Sequence, residues 1–289
     1  MSYASKLKSS AMAEKHVTEQ FRRSKSAVWP RRLAPRFYPL LSVFAMVLLW
    51  EAACHVFVIP RYILPAPSAI SFELWEQRWV LLGHSLPTFL VITLGFVMAL
   101  VFGLLLAILI VWSTPLKLAL YPILISSQTV PKVAIAPLLV LWLGYGIVPK
   151  VLVTFLVCFF PITIDAVAGL RSVPTETILL ARSTGAGGWK TLIKIKLPHS
   201  LPNIFAGLKV AITLAVVGSI VAEFVGADRG LGYLLMVATG NLDTTFLFAD
   251  LVVLVVLGMA LYLVIVVLES AFIPWHVSKR SNELDDAAS

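Results

Sequence analysis

LLARSTGAGGWKTLIKIKLP, residues Leu179–Pro198, is a polar, basic stretch lying between two long apolar segments. It reads as two short helices joined at glycines. Upstream, Pro174 suits an opening turn, where its missing N–H would go unbonded in any case. Glu176 places negative charge near the positive end of the helix dipole. Gly185, Gly187 and Gly188 then stop this first helix. The second places Trp189, Leu192, Ile193 and Leu197 at helical spacing, puts Lys190 and Lys194 on another face, and is expected to end at Pro198. Such a helix lies on a surface rather than crossing a bilayer.

The flanking sequence calls for a bilayer. Hydrophobic residues make up 59% of the 289 positions, charged residues 13%, and the mean hydropathy is +0.93. Several uninterrupted apolar runs approach or exceed the ~20 residues needed to cross the hydrocarbon core. The net charge of +8 sits largely in the first 36 residues and the central loop. Membrane orientation accounts for that placement, whereas a base-reading surface does not, so no nucleic-acid partner is expected. Cys54 and Cys158 lie far apart in apolar runs and read as free, packing thiols.

In chain order, residues 1–37 form a Ser/Lys/Arg-rich tail with no apolar run or cleavage site of a signal peptide, expected to be cytoplasmic. Six spans are expected within 38–276, an all-α integral membrane domain. They run from about Tyr38 to Ile59, Ser85 to Trp112, Leu118 to Leu143, Val148 to Leu170, Ile204 to Val225 and Phe246 to Ile273. Pro60 to Gly83 and Gly226 to Thr245 read as loops, and residues 277–289 as a short tail. Gly95 and Gly103 in the second span allow close helix packing. The third is interrupted by Pro131 and Pro137 and carries Ser126, Ser127, Gln128, Thr129 and Lys132 at membrane depth. A broken, polar helix is tolerated only where protein or a water-filled cavity covers it.

Six spans put both termini on one side. With the N-terminus inside, the inner face receives nine Lys/Arg from the tail plus Lys117, Arg171, Arg182, Lys190, Lys194, Lys196, Lys279 and Arg280. The outer loops receive only Arg61, Arg78, Lys150 and Arg229. That imbalance predicts both termini, and the 174–198 loop, in the cytoplasm.

The loop also carries a family resemblance. Gly185, nine residues, Ile195, any residue, Leu197, Pro198 resembles the second half of the signature E-A-A-x3-G-x9-I-x-L-P of binding-protein-dependent ABC importer permeases, with Ala181 on its second alanine. Leu179 and Leu180 depart from its Glu and first Ala, which puts a polar role at the start of the loop in doubt. LPAPSAI, VPKVAIAP and EFVGADRGLGY resemble segments of the nitrate, sulfonate and taurine type, over roughly Leu40 to His276. The resemblance implies a methionine-importer-like permease fold whose loop, through Ala181, Gly185, Ile195, Leu197 and Pro198, is a coupling helix docking on a separate cytoplasmic ATP-binding subunit. It further implies a homodimer, a periplasmic solute-binding protein and a bacterial inner membrane. A small anion such as sulfonate, taurine or nitrate is the solute the resemblance points to, with a thiamine-pyrimidine precursor or riboflavin, carried by similar permeases, as the alternative.

Catalytic chemistry is not expected. GAGGWKT (Gly185 to Thr191) imitates a P-loop, but Trp189 stands where the glycine before the lysine is needed and no strand leads in. ATP is therefore expected on the partner, and no cofactor or metal on this chain. His16, His55, His84, His199 and His276 are scattered. The intramembrane charges Lys132, Asp165 and Glu223 are candidates for the translocation pathway, against the alternative that they pair with one another. Glu51, Lys209, Asp250 and Glu269 fall nearer span ends, where snorkelling is cheap. A rival reading makes Lys132, Asp165 and Glu223 an ion relay in a secondary carrier; an integral-membrane enzyme would need a catalytic constellation. In a background lacking Cys54 and Cys158, Asn241→Cys should react with an impermeant thiol reagent outside the cell and Ser281→Cys should be protected. Labelling of both would contradict the six-span topology.

Overall fold

The structure, a computed structural model, describes residues 38–274. Both tails, 1–37 and 277–289, and position 281 of the labelling experiment lie outside them. Among the described residues, 38–59 belong to one compact unit and those from Pro60 to a second. The first contains α1 (Tyr38–Val56), in which Glu51 lies 2.9 Å from His55 one turn on, so the acid has a partner on its own helix.

The second unit runs α2 (Pro67–Glu76), α3 (Arg78–Trp112), α4 (Thr114–Ser127), a 3-10 turn (Lys132–Ile135), α5 (Ala136–Leu143), α6 (Ile147–Arg171), α7 (Thr175–Ser183), α8 (Gly188–Gly226), α9 (Leu231–Gly240) and α10 (Thr244–Phe272). Four of these, α3, α6, α8 and α10, are long and apolar enough to cross a membrane, or five spans if the bent α4–α5 pair counts as one. The first expected span falls on α1, whose described apolar part, Leu41–Val56, is shorter.

The expected break in the third span is present, with an 87° bend between α4 and the Lys132–Leu143 segment. Elsewhere the chain is more helical than its punctuation suggests. The Pro60–Gly83 segment holds all of α2 and the start of α3, because Pro67 occupies the first turn of a helix, where proline is tolerated. The Gly226–Thr245 segment holds α9. At 35 residues, α3 is about 52 Å long and outruns the hydrocarbon core at one or both ends.

The centre of this unit is α6 sandwiched between α3 and α8. Small residues recur every four positions on the facing stripes: Gly95, Ala99, Gly103 and Ala107 on α3, and Gly207, Ala211 and Ala215 on α8, all buried. A Cβ on Gly95 would stand 2.6 Å from Thr154 Cβ of α6, and one on Gly207 would stand 2.7 Å from Asp165 Cβ. The backbones of α3 and α8 therefore pack directly on the side chains of α6, as in lipid, where dispersion replaces the hydrophobic effect as the associating force. The hydroxyls of Thr154 and Thr163 donate to the carbonyls of Lys150 and Phe159 one turn back, so the dry contact leaves them satisfied.

Around this centre the outer faces are apolar and uncovered. α10 is the most hydrophobic span, yet only 11% of its most apolar window is buried. A stripe of that length is stable only in a non-aqueous medium, and the chain is a multi-pass membrane protein. Lys209 of α8 and Glu269 of α10 form an ion pair, with side chains 13% and 17% exposed. They do not reach for the interface as their positions near span ends suggested; pairing satisfies both in place.

Candidate functional site

The 174–198 loop closes its first helix with a complete C-terminal motif. Pro174, in extended conformation, precedes α7 rather than opening its first turn. At the far end Gly185 has φ +78°. Its N–H donates to Arg182 O at 3.0 Å, and the N–H of Ala186 donates to Ala181 O at 3.0 Å. This paired arrangement stops a helix through one left-handed residue, a conformation that glycine adopts without a Cβ clash. Ala181 is buried beneath the turn, and its carbonyl also accepts from Thr184 Oγ1 at 2.9 Å. Nothing lies within 4 Å of a Cβ built on Gly185, so conformation rather than crowding demands glycine there.

The second half behaves otherwise than expected. Pro198 does not end a helix: from Gly188 the chain stays helical to Gly226. Pro198 lacks an N–H, and its ring would collide with the carbonyl four residues back in a regular helix. A π turn over Leu192–Lys196 absorbs the conflict, with the Leu197 N–H reaching Leu192 O five residues back. The loop's second half is thus the end of a membrane-spanning helix. Ile195, Leu197 and Pro198 are half-buried, and Ile195 and Pro198 line a hollow of about 410 Å3 shared with Pro174 and Thr177. Leu179, Leu180, Trp189 and Ile193 are exposed by 58%, 68%, 61% and 44%. Arg182, Lys190 and Lys194 stand exposed among them. The loop is a basic knob with an apolar surface.

Lys132, Asp165 and Glu223 are not brought together as ion pairs. Lys132 opens the 3-10 turn at the bend, its Nζ 4.6 Å from the Phe160 ring centroid and 3.3 Å from Gln128 O. Asp165 is half-buried on α6 against Gly207. Glu223 is fully buried and caps a helix. The Gly232 N–H donates to its Oε2 at 2.7 Å, and the Thr88 hydroxyl donates into its carboxylate at 2.9 and 3.1 Å from the two oxygens. The Leu231 N–H in turn donates to Thr88 Oγ1 at 2.8 Å, and the Gly230 N–H to His84 Nδ1 at 3.1 Å. The free N–H groups at the start of α9 are thereby met by side chains of α3 and α8. Gly230 (φ +126°) and Gly232 leave room for the carboxylate, since a Cβ on either would strike Glu223.

Sequence reasoning missed Thr88 and His84 as partners in this cap. It also placed Asp250 near a span end, but Asp250 is fully buried, and neither carboxyl oxygen has a hydrogen-bond partner among the described residues. Lys150, assigned to an outer loop, is buried in the first turns of α6.

The sequence profile of the family described as Binding-protein-dependent transport system inner membrane component matches residues 99–275. A Probable ABC transporter permease protein of Haemophilus influenzae is 37% identical over 78% of this chain and 91% of its own length. The Formylaminopyrimidine transport permease protein ThiX of Halalkalibacterium halodurans is 35% identical over 82% of this chain and 95% of its own. The Putative aliphatic sulfonates transport permease protein SsuC of Bacillus subtilis is 31% identical over 83% and 87%. In fold, the chain is similar to the inward-facing MetNI methionine ABC transporter, with a TM-score of 0.59 at 21% identity over 68% of this chain and 98% of that one.

The two buried carboxyls predict opposite mutants. Glu223→Ala strands the Gly232 N–H and the Thr88 hydroxyl and should cost about 1–3 kcal/mol for each group left unsatisfied, while Glu223→Gln, which keeps an acceptor, should cost less. Asp250→Asn removes an unpartnered acid and should leave stability unchanged or raised. Thermal unfolding of the purified variants in detergent checks the order; a destabilised Asp250→Asn beside an unaffected Glu223→Ala would reverse the roles.

Proposed function

The chain belongs to the family of binding-protein-dependent transport system inner membrane components, and from that premise we propose that it is the membrane-spanning subunit of an ATP-driven importer in a bacterial inner membrane. Both termini are cytoplasmic, two copies form the pathway, and a solute-binding protein delivers the cargo from the periplasm. ATP is hydrolysed on separate cytoplasmic subunits, and this chain is not an enzyme. The observation that carries the reading is the knob: Leu179 and Leu180 of α7 and Trp189 and Ile193 at the start of α8 project apolar surface among basic side chains. Apolar surface of that kind is stabilised by a protein partner.

The unbroken helix supplies a mechanism. Trp189 and Glu223 lie on one helix, roughly 50 Å apart at 1.5 Å per residue. When the ATPase dimer closes and carries the knob with it, α8 transmits the displacement as a rigid element toward α9. The two arrangements of the spans are the states between which nucleotide shifts the population.

For the cargo we propose a small organic anion of the sulfonate or taurine type. The supporting feature is Lys132, a cation at an 87° break in a span, with a carbonyl and an aromatic face as its recorded contacts. A second reading, a pyrimidine precursor, is favoured by the likeness to the formylaminopyrimidine permease.

Gly185→Leu should insert and assemble but lose binding-protein-stimulated ATP hydrolysis and uptake, because a left-handed leucine costs about 1–2 kcal/mol and opens the knob. Gly185→Asn should stay near normal, and Gly95→Leu should act through the amount of assembled protein. Normal uptake by a well-expressed Gly185→Leu protein would remove the loop from the mechanism, and uptake driven by an ion gradient without ATPase subunits would favour a secondary carrier.

Lys132→Met should lower sulfonate uptake several-fold with little loss of assembled protein, since the contacts it gives up are a carbonyl hydrogen bond and a cation–π interaction of about 0.5–1 kcal/mol. Unchanged uptake of every anion tested would take Lys132 out of the pathway.

A further inference from the structure

Where α3 ends against the knob, a cavity of about 420 Å3 lies between Trp112, Ile178 and Arg182 of α7, and Leu192 and Lys196 of the π turn. We propose that this cavity is a binding site for a phosphate-bearing anion.

Its charge is one-sided. Arg182 and Lys196 line it, no acidic residue does, and neither cation belongs to either ion pair formed among the described residues. The two positive groups project from different elements, α7 and α8, whose backbones are fixed by the Gly185 turn and by the π turn respectively. Two cations held apart around a space of small-molecule size will gain by taking an anion between them. Phosphate suits the pair, since a guanidinium binds two of its oxygens in a fork while an ammonium acts as a point charge.

The remaining wall is mixed, with Thr114 and Thr191 beside apolar side chains. Ile178, Leu192 and the Trp112 ring, itself edge-on to Trp189 at 5.9 Å, add aliphatic and aromatic surface beside the charges. Trp112 is the last residue of a 35-residue apolar helix. A tryptophan at the end of a span marks headgroup depth, where basic side chains meet anionic lipid. The same chemistry is offered by two sources, a phospholipid headgroup whose glycerol would lie on the apolar part of the wall, and soluble phosphate. Occupancy by either would tie the end of α3 to both halves of the knob.

The full-length chain would be placed in nanodiscs of phosphatidylcholine and phosphatidylglycerol in equal parts, transferred to neutral detergent, and its retained lipid counted by native mass spectrometry. A parallel arm would titrate inorganic phosphate into nanodiscs of phosphatidylcholine alone and follow tryptophan fluorescence. Both faces are open in a nanodisc, so the result does not depend on membrane orientation or on the ATPase contact proposed above. Affinity in whichever arm binds should fall about tenfold for each charge removed by Arg182→Gln and Lys196→Gln, the effect of one charge-assisted hydrogen bond. Lys190→Gln with Lys194→Gln, which removes the same charge from the same loop outside the cavity, should leave it intact. Retention of phosphatidylglycerol without a phosphate response identifies the lipid as the source; a phosphate response identifies the soluble ion. Equal binding by wild type and the Arg182→Gln/Lys196→Gln protein, equal loss in the control pair, or no binding in either arm would overturn the site.

Discussion

Close packing of the glycine backbones of α3 and α8 on α6 is the constraint on which the rest depends. With Gly95, Ala99 and Gly103 on one side and Gly207, Ala211 and Ala215 on the other, the three central helices come close enough for dispersion contacts to hold them. At these positions α3 and α8 contribute nothing larger than a methyl group, so Thr154, Thr163 and Asp165 of α6 pack directly on the glycine backbones. The price falls on adaptability, because such a contact has one good register and does not slide continuously. Any movement of α8 must therefore carry α6 with it or break the stripe at once. That all-or-none character suits a protein that works between two states.

Polar chemistry inside this fold is largely satisfied by side chains of neighbouring helices, with Asp250 and the Thr93 hydroxyl as exceptions among the described residues. Glu223 draws donors from α3 and α9 onto a carboxylate at the far end of α8. The short helix α9 has too few turns to stand alone, and its first N–H groups need acceptors wherever water is scarce. The cap turns an otherwise marginal element into part of the packed unit. Lys209 and Glu269 do the same for the contact between α8 and α10.

Much of the fold was legible because apolar length is a strong signal. The spans stood out as runs of Leu, Ile, Val and Phe, and the broken one as Pro131 and Pro137 beside polar residues. Gly185 was readable as a turn, since a glycine after a helical stretch is the common way to stop one. The misses share a cause. Thr88 lies 135 residues from Glu223, and no local pattern ties them. Lys209 and Glu269 looked like interfacial charges because their pairing is tertiary. α9 hid in a Gly- and Asp-containing segment because a short helix capped by distant side chains shows no cap of its own. Pro198 read as a stop because the rule for prolines assumes regular α geometry on either side, and a π turn suspends it.

That turn also sets an angle. A π turn adds one residue to the helix without adding a turn, and one residue is worth about 100° of rotation about the axis. Everything before Leu192 is thus rotated relative to everything after Lys196 by an amount that a regular helix would not produce. This phase offset lets Trp189 face Trp112 while Gly207, Ala211 and Ala215, farther along the same rod, face α6. Deleting one residue between Leu192 and Lys196 would keep every helix and all side chains but one, and would still point the knob in the wrong direction. In this chain the direction in which the surface loop points is encoded as a residue count.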